Sequence, residues 1–161
     1  MKLRPFAMFD KLSATKIGQR VLLTLWVGGL WATGYLVVPT LFQTLGDPRL
    51  AGELAGKLFS VMNYVGLVCG TLLLGVIIFE GERVWQLWVL IAMLALSAIG
   101  EFVLQPMIGL LKAETPTGFV EGSPAAAHFA MLHGISSLLF LAASLLGLAL
   151  VAFGVSRSNT D

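Results

Sequence analysis

The sequence predicts an all-α membrane protein, a four-transmembrane-helix bundle with both termini cytoplasmic. Three observations carry this: the composition, four long runs without charge, and the sorting of charges between those runs. Of 161 residues, 57% are hydrophobic and 12% charged, with a mean hydropathy of +0.89. Soluble domains are about 45–50% apolar and about 25% charged, and a chain this short has too much surface for its volume to hide such an excess. The same composition excludes disorder, and a net charge of +1 excludes a nucleic-acid binder. The lipid bilayer is the partner that remains.

About 20 apolar residues cross roughly 30 Å of hydrocarbon. No charge occurs between Arg20 and Asp47, which places the first span at 21–42. Its apolar run is longer than the core of a cleavable signal peptide, about 7–15 residues. Residues 1–20 before it form a basic segment with Lys2, Arg4, Lys11, Lys16 and Arg20. Leu3, Phe6, Phe9 and Leu12 recur there at three-residue steps, so the segment reads either as an interfacial helix or as a basic tail. The second span lies at 58–79, between Lys57 and Glu80; Asp47 and Pro48 ahead of it suit a helix cap and first turn. The third, at 84–111, is interrupted only by Glu101. Residues 113–125, with Pro116, Gly118, Gly122 and Pro124, read as a loop. The fourth span is 125–153, and 154–161 is a short tail.

Orientation follows from positive charge. The N-terminus, the 80–84 turn and the C-terminus hold seven of the ten Lys and Arg; the segments 43–57 and 112–126 hold Arg49, Lys57 and Lys112. That sorting predicts a plasma or bacterial inner membrane protein with both ends inside. Trp26, Trp31, Trp85 and Trp88 are candidate interface anchors.

Polar groups inside the spans are the best functional pointer, because each is costly in lipid. Counting about 1.5 Å per residue from the outer surface, Asn63, Gln105 and His133 lie at roughly 10 Å and Glu101 at roughly 16 Å, close to the midplane. Glu101 and Gln105 are four apart and share a helix face. A charged carboxylate at mid-depth costs about 2.5–3.5 kcal/mol on insertion scales, so Glu101 is expected to keep its proton unless paired, and His133 is the natural partner. These four residues are the candidate site for a small solute, proton or metal ion. A neutral carboxyl that only locks helices together is the competing reading.

His128 and His133 are candidate metal ligands, although five residues of helix turn their side chains about 140° apart. Met62, Met107 and Met131 lie at similar depth, and thioethers suit Cu(I). Nucleophile elbow, phosphate loop, dinucleotide fingerprint and zinc-protease motifs are all absent, so the chain leans away from an enzyme. The enzyme-like alternative is a haem- or quinone-linked redox protein using His133, with haem or copper as its cofactor. A structural or accessory subunit is the third reading. Four spans leave a narrow lumen, so transport would call for a homo-oligomer or a membrane partner.

Small residues at helix spacing mark packing faces: Gly66 and Gly70, and Gly28 and Ala32. Cys69, the single cysteine, lies in an apolar run and reads as inert filler. Pro39 and Pro106 are 67 apart and Phe59 and Phe129 are 70 apart. This spacing fits either a duplicated helix pair or two unrelated kinks.

The string Leu25-Trp-Val-Gly-Gly-Leu-Trp31, ending in Val38-Pro-Thr-Leu-Phe42, is followed by Ala51-Gly52, Leu58-Phe59, Asn63-Tyr64 and His133-Gly134. Over about residues 18–153 it resembles the membrane family of domain of unknown function 4149, the transmembrane-protein-205-like group. That resemblance implies a four-span bundle and brings no reaction. More remotely the chain is similar to copper-resistance D-like membrane proteins and to the protoporphyrinogen-oxidising J family. Those families use intramembrane histidines, in the J family one in the first span. Span one here has no histidine, a departure that counts against haem ligation.

Overall fold

Four long antiparallel helices carry the chain in the computed structural model, which describes residues 6–80, 84–115 and 118–154. They are α1 (residues 6–44), α2 (Pro48–Glu80), α3 (Val84–Glu114) and α4 (Pro124–Gly154). Each contains 30–32 residues of a length and hydropathy that cross a membrane, and this is an integral membrane protein. No strand occurs among the described residues. In sequence order each helix packs on the next, and α1 also meets α4, closing the bundle. The 45–47 connection and the 118–123 turn lie at one end, hereafter the loop side, and the Phe6 end of α1 and the Gly154 end of α4 lie at the other, hereafter the terminus side.

Residues 6–20 are helical and continuous with the first span, so α1 begins at Phe6 without a break. Lys2, Arg4, Arg83, Pro116 and the 155–161 tail lie outside the described residues. The start of α2 is fixed by Asp47, whose side chain accepts the backbone N–H of Arg49 at 2.8 Å and of Leu50 at 3.4 Å, with Pro48 in the first turn where no N–H is needed. The second loop turns on Gly118 and Gly122, at φ 95° and 78°, a backbone region that only glycine enters without strain. Pro124 then opens α4.

Three widened turns interrupt the helices: Thr24–Gly28 and Ala32–Val37 in α1, and Gly100–Leu104 in α3. In each, backbone N–H groups reach back five residues rather than four, as Val38 does to Thr33 and Gln105 to Gly100. Two of the three end just before Pro39 and Pro106. A helical proline lacks an N–H and its ring crowds the carbonyl four residues back; an extra residue in the turn relieves both. The two helix pairs therefore share this device.

The apolar core sits in the terminus-side half. Trp26, Val27 and Leu30 of α1 meet Cys69 and Leu73 of α2, Leu90 and Met93 of α3, and Leu150 of α4. Trp26 is 0% exposed, so it is a core residue and not an interface anchor. Gly66 and Gly70 explain why. A Cβ on Gly66 would collide with the indole nitrogen, and one on Gly70 with the six-membered ring. The small-residue pair is thus a seat for one large side chain. Trp85 and Trp88, 45% and 65% exposed, do face outward at the terminus-side end of α3. Trp31 is in part turned to the bundle, its indole N–H donating to Ser144 O at 3.4 Å.

Candidate functional site

Polar groups meet along the loop-side half of the α2/α3 seam. Glu101 lies inside the widened turn Gly100–Leu104 and is 8% exposed. Its two oxygens accept from α2: Ser60 Oγ donates to Oε1 at 3.0 Å and Asn63 Nδ2 to Oε2 at 3.2 Å. One turn nearer the loops, Gln105 Nε2 donates to the Gly56 carbonyl at 3.1 Å. At the rim, Lys112 Nζ donates to the Gly52 carbonyl at 3.5 Å. Three rungs therefore climb from Glu101 to the loop side over about 16 Å of helix.

Helix spacing builds this ladder. Gly52, Gly56 and Ser60 are four apart and form one stripe of α2. From α3, Gln105 and Lys112 reach the backbone carbonyls of Gly56 and Gly52. Opposite them stand Glu101, Gln105 and Lys112. Gly100 of α3 lies beside Asn63 at this level, where a Cβ would make ordinary contact with Asn63 Nδ2 at 3.4 Å. Glu101 and Gln105 both face α2, as their spacing predicts.

The structure thus brings together three of the four expected site residues, Glu101, Gln105 and Asn63, and leaves out the fourth. His133 is exposed on the outer face of α4, its ring stacked on Phe129 at 5.9 Å, and its carbonyl accepts the Ser137 hydroxyl at 2.9 Å. The partners of Glu101 are Ser60 and Asn63, which corrects the expected pairing with His133. His128 is exposed as well. Among the described residues no three His, Cys, Asp or Glu side chains converge as metal ligands. Arg49 and Glu53 form an ion pair at 3.4 Å on the exposed start of α2. Ser60 and the two glycine carbonyls are the members that sequence reasoning missed. Their signal is the 52–56–60 spacing.

Beside the ladder's rim, Lys112 also lies 6.0 Å from the centre of the Phe129 ring, which stacks on Phe119 at 4.5 Å. These contacts fasten the second loop and α4 to the top of α3. On the other side of Glu101 the seam ends quickly: buried Ser97 lies one turn below it, and Trp26 and Leu94 fill the space over Gly66 and Gly70.

A family model described as "Domain of unknown function (DUF4149)" matches residues 21–116, which take in α1 from its first membrane residue, α2 and α3, and hence every member of the ladder. No curated protein and no solved structure matches the chain.

Proposed function

This chain belongs to the DUF4149 family, and from that premise we propose that it binds and releases a proton at Glu101, with Ser60, Asn63 and Gln105 completing the site. The observation that carries this reading is a carboxyl buried at mid-helix whose neighbours suit both of its protonation states. As a carboxylate, Glu101 accepts from the Ser60 hydroxyl and the Asn63 amide. On taking up a proton it becomes a donor. Ser60 Oγ then accepts that O–H and turns its own hydrogen to the carbonyl three residues back on α2, a local bond that helical serines can make. The Asn63 bond persists throughout. A hydroxyl that can both donate and accept is what this exchange requires, and an intramembrane carboxyl is costly enough to call for such a role.

Among the described residues Glu101 is the buried carboxyl at this level. On α2 the titratable side chains nearest this level are Lys57 and Tyr64, both exposed; α4 offers His128 and His133, both exposed, and α1 offers Tyr35, exposed against Trp31 and Phe140. Lys112 is engaged at the rim. The charge sorting supports an orientation with both termini in the cytoplasm of a cell whose plasma or inner membrane holds the protein, which puts the ladder in the outer leaflet. With His133 turned outward, no observation favours the haem or copper readings.

Infrared difference spectroscopy of the protein in lipid vesicles, between acid and alkaline buffer, tests the reading. A protonated-carboxyl band that Glu101→Gln removes is expected. Identical difference spectra for the two proteins would overturn it.

A further inference from the structure

We infer that Glu101 exchanges its proton with the loop side alone, so that the bundle is a one-sided proton site and not a through-path. This rests on the proton-binding reading above and adds the direction of access. The two halves of the bundle differ in kind. Toward the loops, Gly52, Gly56, Ser60, Asn63, Gln105 and Lys112 are all partly exposed, and Glu101 is the buried end of that polar series. Polar groups recur at successive levels on this side, as three separate bonds between α3 and α2: Lys112 to Gly52, Gln105 to Gly56 and Ser60 to Glu101.

Toward the termini the same seam is shut by all four helices. Trp26, Leu90 and Met93 are 0% exposed and Leu73 is 2% exposed. The Trp26 ring lies along α2, its indole nitrogen over Gly66 and its six-membered ring over Gly70, where Leu94 of α3 joins it. Gly147 of α4 lets Val27 and Met93 close together at the same level. The indole N–H lies at the end of the plug nearer Glu101 and has no hydrogen-bond partner. Buried Ser97 and Ser144 lie on the Glu101 side of the plug and buried Gln86 beyond it, and the layer between them, Leu73, Leu90, Met93 and Leu150, is apolar. A proton needs a chain of donors and acceptors or water, and a tight apolar layer of this kind supplies neither.

Proton uptake by Glu101 is balanced within the ladder: an O–H bond forms on the carboxylate, Ser60 shifts its hydrogen from Glu101 to the α2 backbone carbonyl three residues back, and the incoming proton comes from water at the loop side. The facing groups on the other helices, named above, are exposed and take no part.

Single cysteines in a Cys69→Ala background, treated with the small thiol-reactive ion Ag+ in right-side-out and inverted vesicles, test the direction. Gly52→Cys and Gly56→Cys are expected to react when Ag+ reaches the loop side and to stay silent when it reaches the terminus side. Leu73→Cys and Leu90→Cys are expected to stay silent from both. Vesicles of the unmodified protein under an imposed pH gradient are expected to show no sustained proton flux above that of protein-free lipid. Reaction of Leu73→Cys from the terminus side, silence of Gly56→Cys from the loop side, or a sustained flux abolished by Glu101→Gln would each overturn one-sided access. If Gly52→Cys and Gly56→Cys label as expected while the infrared band of Glu101 is missing, the seam opens as inferred and the proton reading is what fails.

Discussion

The bond between Asn63 and Glu101 yields a quantitative test of whether Glu101 changes charge. Asn63 Nδ2 donates to Oε2 at 3.2 Å, between helices, at a level where the carboxyl is 8% exposed. A double-mutant cycle with Asn63→Ala and Glu101→Ala isolates this pair, because packing losses specific to each side chain cancel. With the carboxyl protonated, the pair is an ordinary interhelical hydrogen bond in lipid, which couples by about 0.6 kcal/mol and at most about 1.7 kcal/mol. With the carboxyl ionised, the same bond has a charged acceptor and is expected in the range of about 1.5–3 kcal/mol. The coupling should therefore rise by about 1 kcal/mol, roughly a factor of five in an equilibrium constant, between the two states. Reversible unfolding in mixed detergent–lipid micelles measures it, at one pH where the infrared band of Glu101 is present and at one where it is gone. An equal coupling at both, or a larger one in the protonated state, would refute the reasoning, and would leave Glu101 as a neutral lock between α2 and α3.

Other expectations follow from single contacts. Gly66→Ala puts a methyl group against the buried indole of Trp26 and should cost about 1–3 kcal/mol of overpacking, whereas Gly75→Ala, with nothing within 4 Å, should be neutral or gain up to about 1 kcal/mol of helix propensity; the same micelle assay compares them. Asp47→Ala removes the cap of α2 and should lower stability by about 0.5–2 kcal/mol, with Asp47→Asn retaining most of it. His133→Ala, on the far face of α4, should leave the infrared signature of Glu101 unchanged, while Ser60→Ala should shift that band by removing the hydroxyl which accepts from the protonated form.

The sequence is most legible where lipid imposes a rule with few exceptions. Four apolar runs, 21–46, 58–79, 84–111 with Glu101 as its one charge, and 122–156, read as four helices, since every backbone group in hydrocarbon must be bonded within the segment. Glu101 stands out for the same reason, and Gln105 and Asn63 follow by spacing and depth. Orientation of a polar side chain about its helix is harder to read. On α4, apolar residues occupy nearly every face, so no stripe distinguishes inward from outward, and His133 gives no hint that it is exposed beside Phe129 and not bonded to Glu101. Ser60 was hidden for a related reason: a serine in an apolar helix is unremarkable until the facing side chain is known. Trp26 misleads through its type. Tryptophans favour the interface, yet Gly66 and Gly70, forty residues on, hollow out a place for this one in the core.

The two prolines show why the site is confined to one helix pair. Pro39 and Pro106 each follow a widened turn, so both halves of the chain carry the same backbone irregularity, of a kind that often marks functional positions. The 67-residue offset between them sets Gly34 against Glu101. At Gly34 the space that a Cβ would take is filled by Phe140 of α4, itself packed on Phe59 and Tyr35; at Glu101 two donors from α2 reach the carboxyl. Asn63 and His133, matched by the 70-residue offset, differ in the same way, one bonded inside the seam and one on the outer face of α4. The irregular turn therefore supplies a place to insert a side chain, and the side chain's chemistry decides its use. Where that side chain is aromatic or absent the turn locks α1 to α4. Where it is a carboxyl, its neighbours are a serine, an asparagine, a glutamine and glycine carbonyls, all able to exchange hydrogen bonds and none able to take its charge.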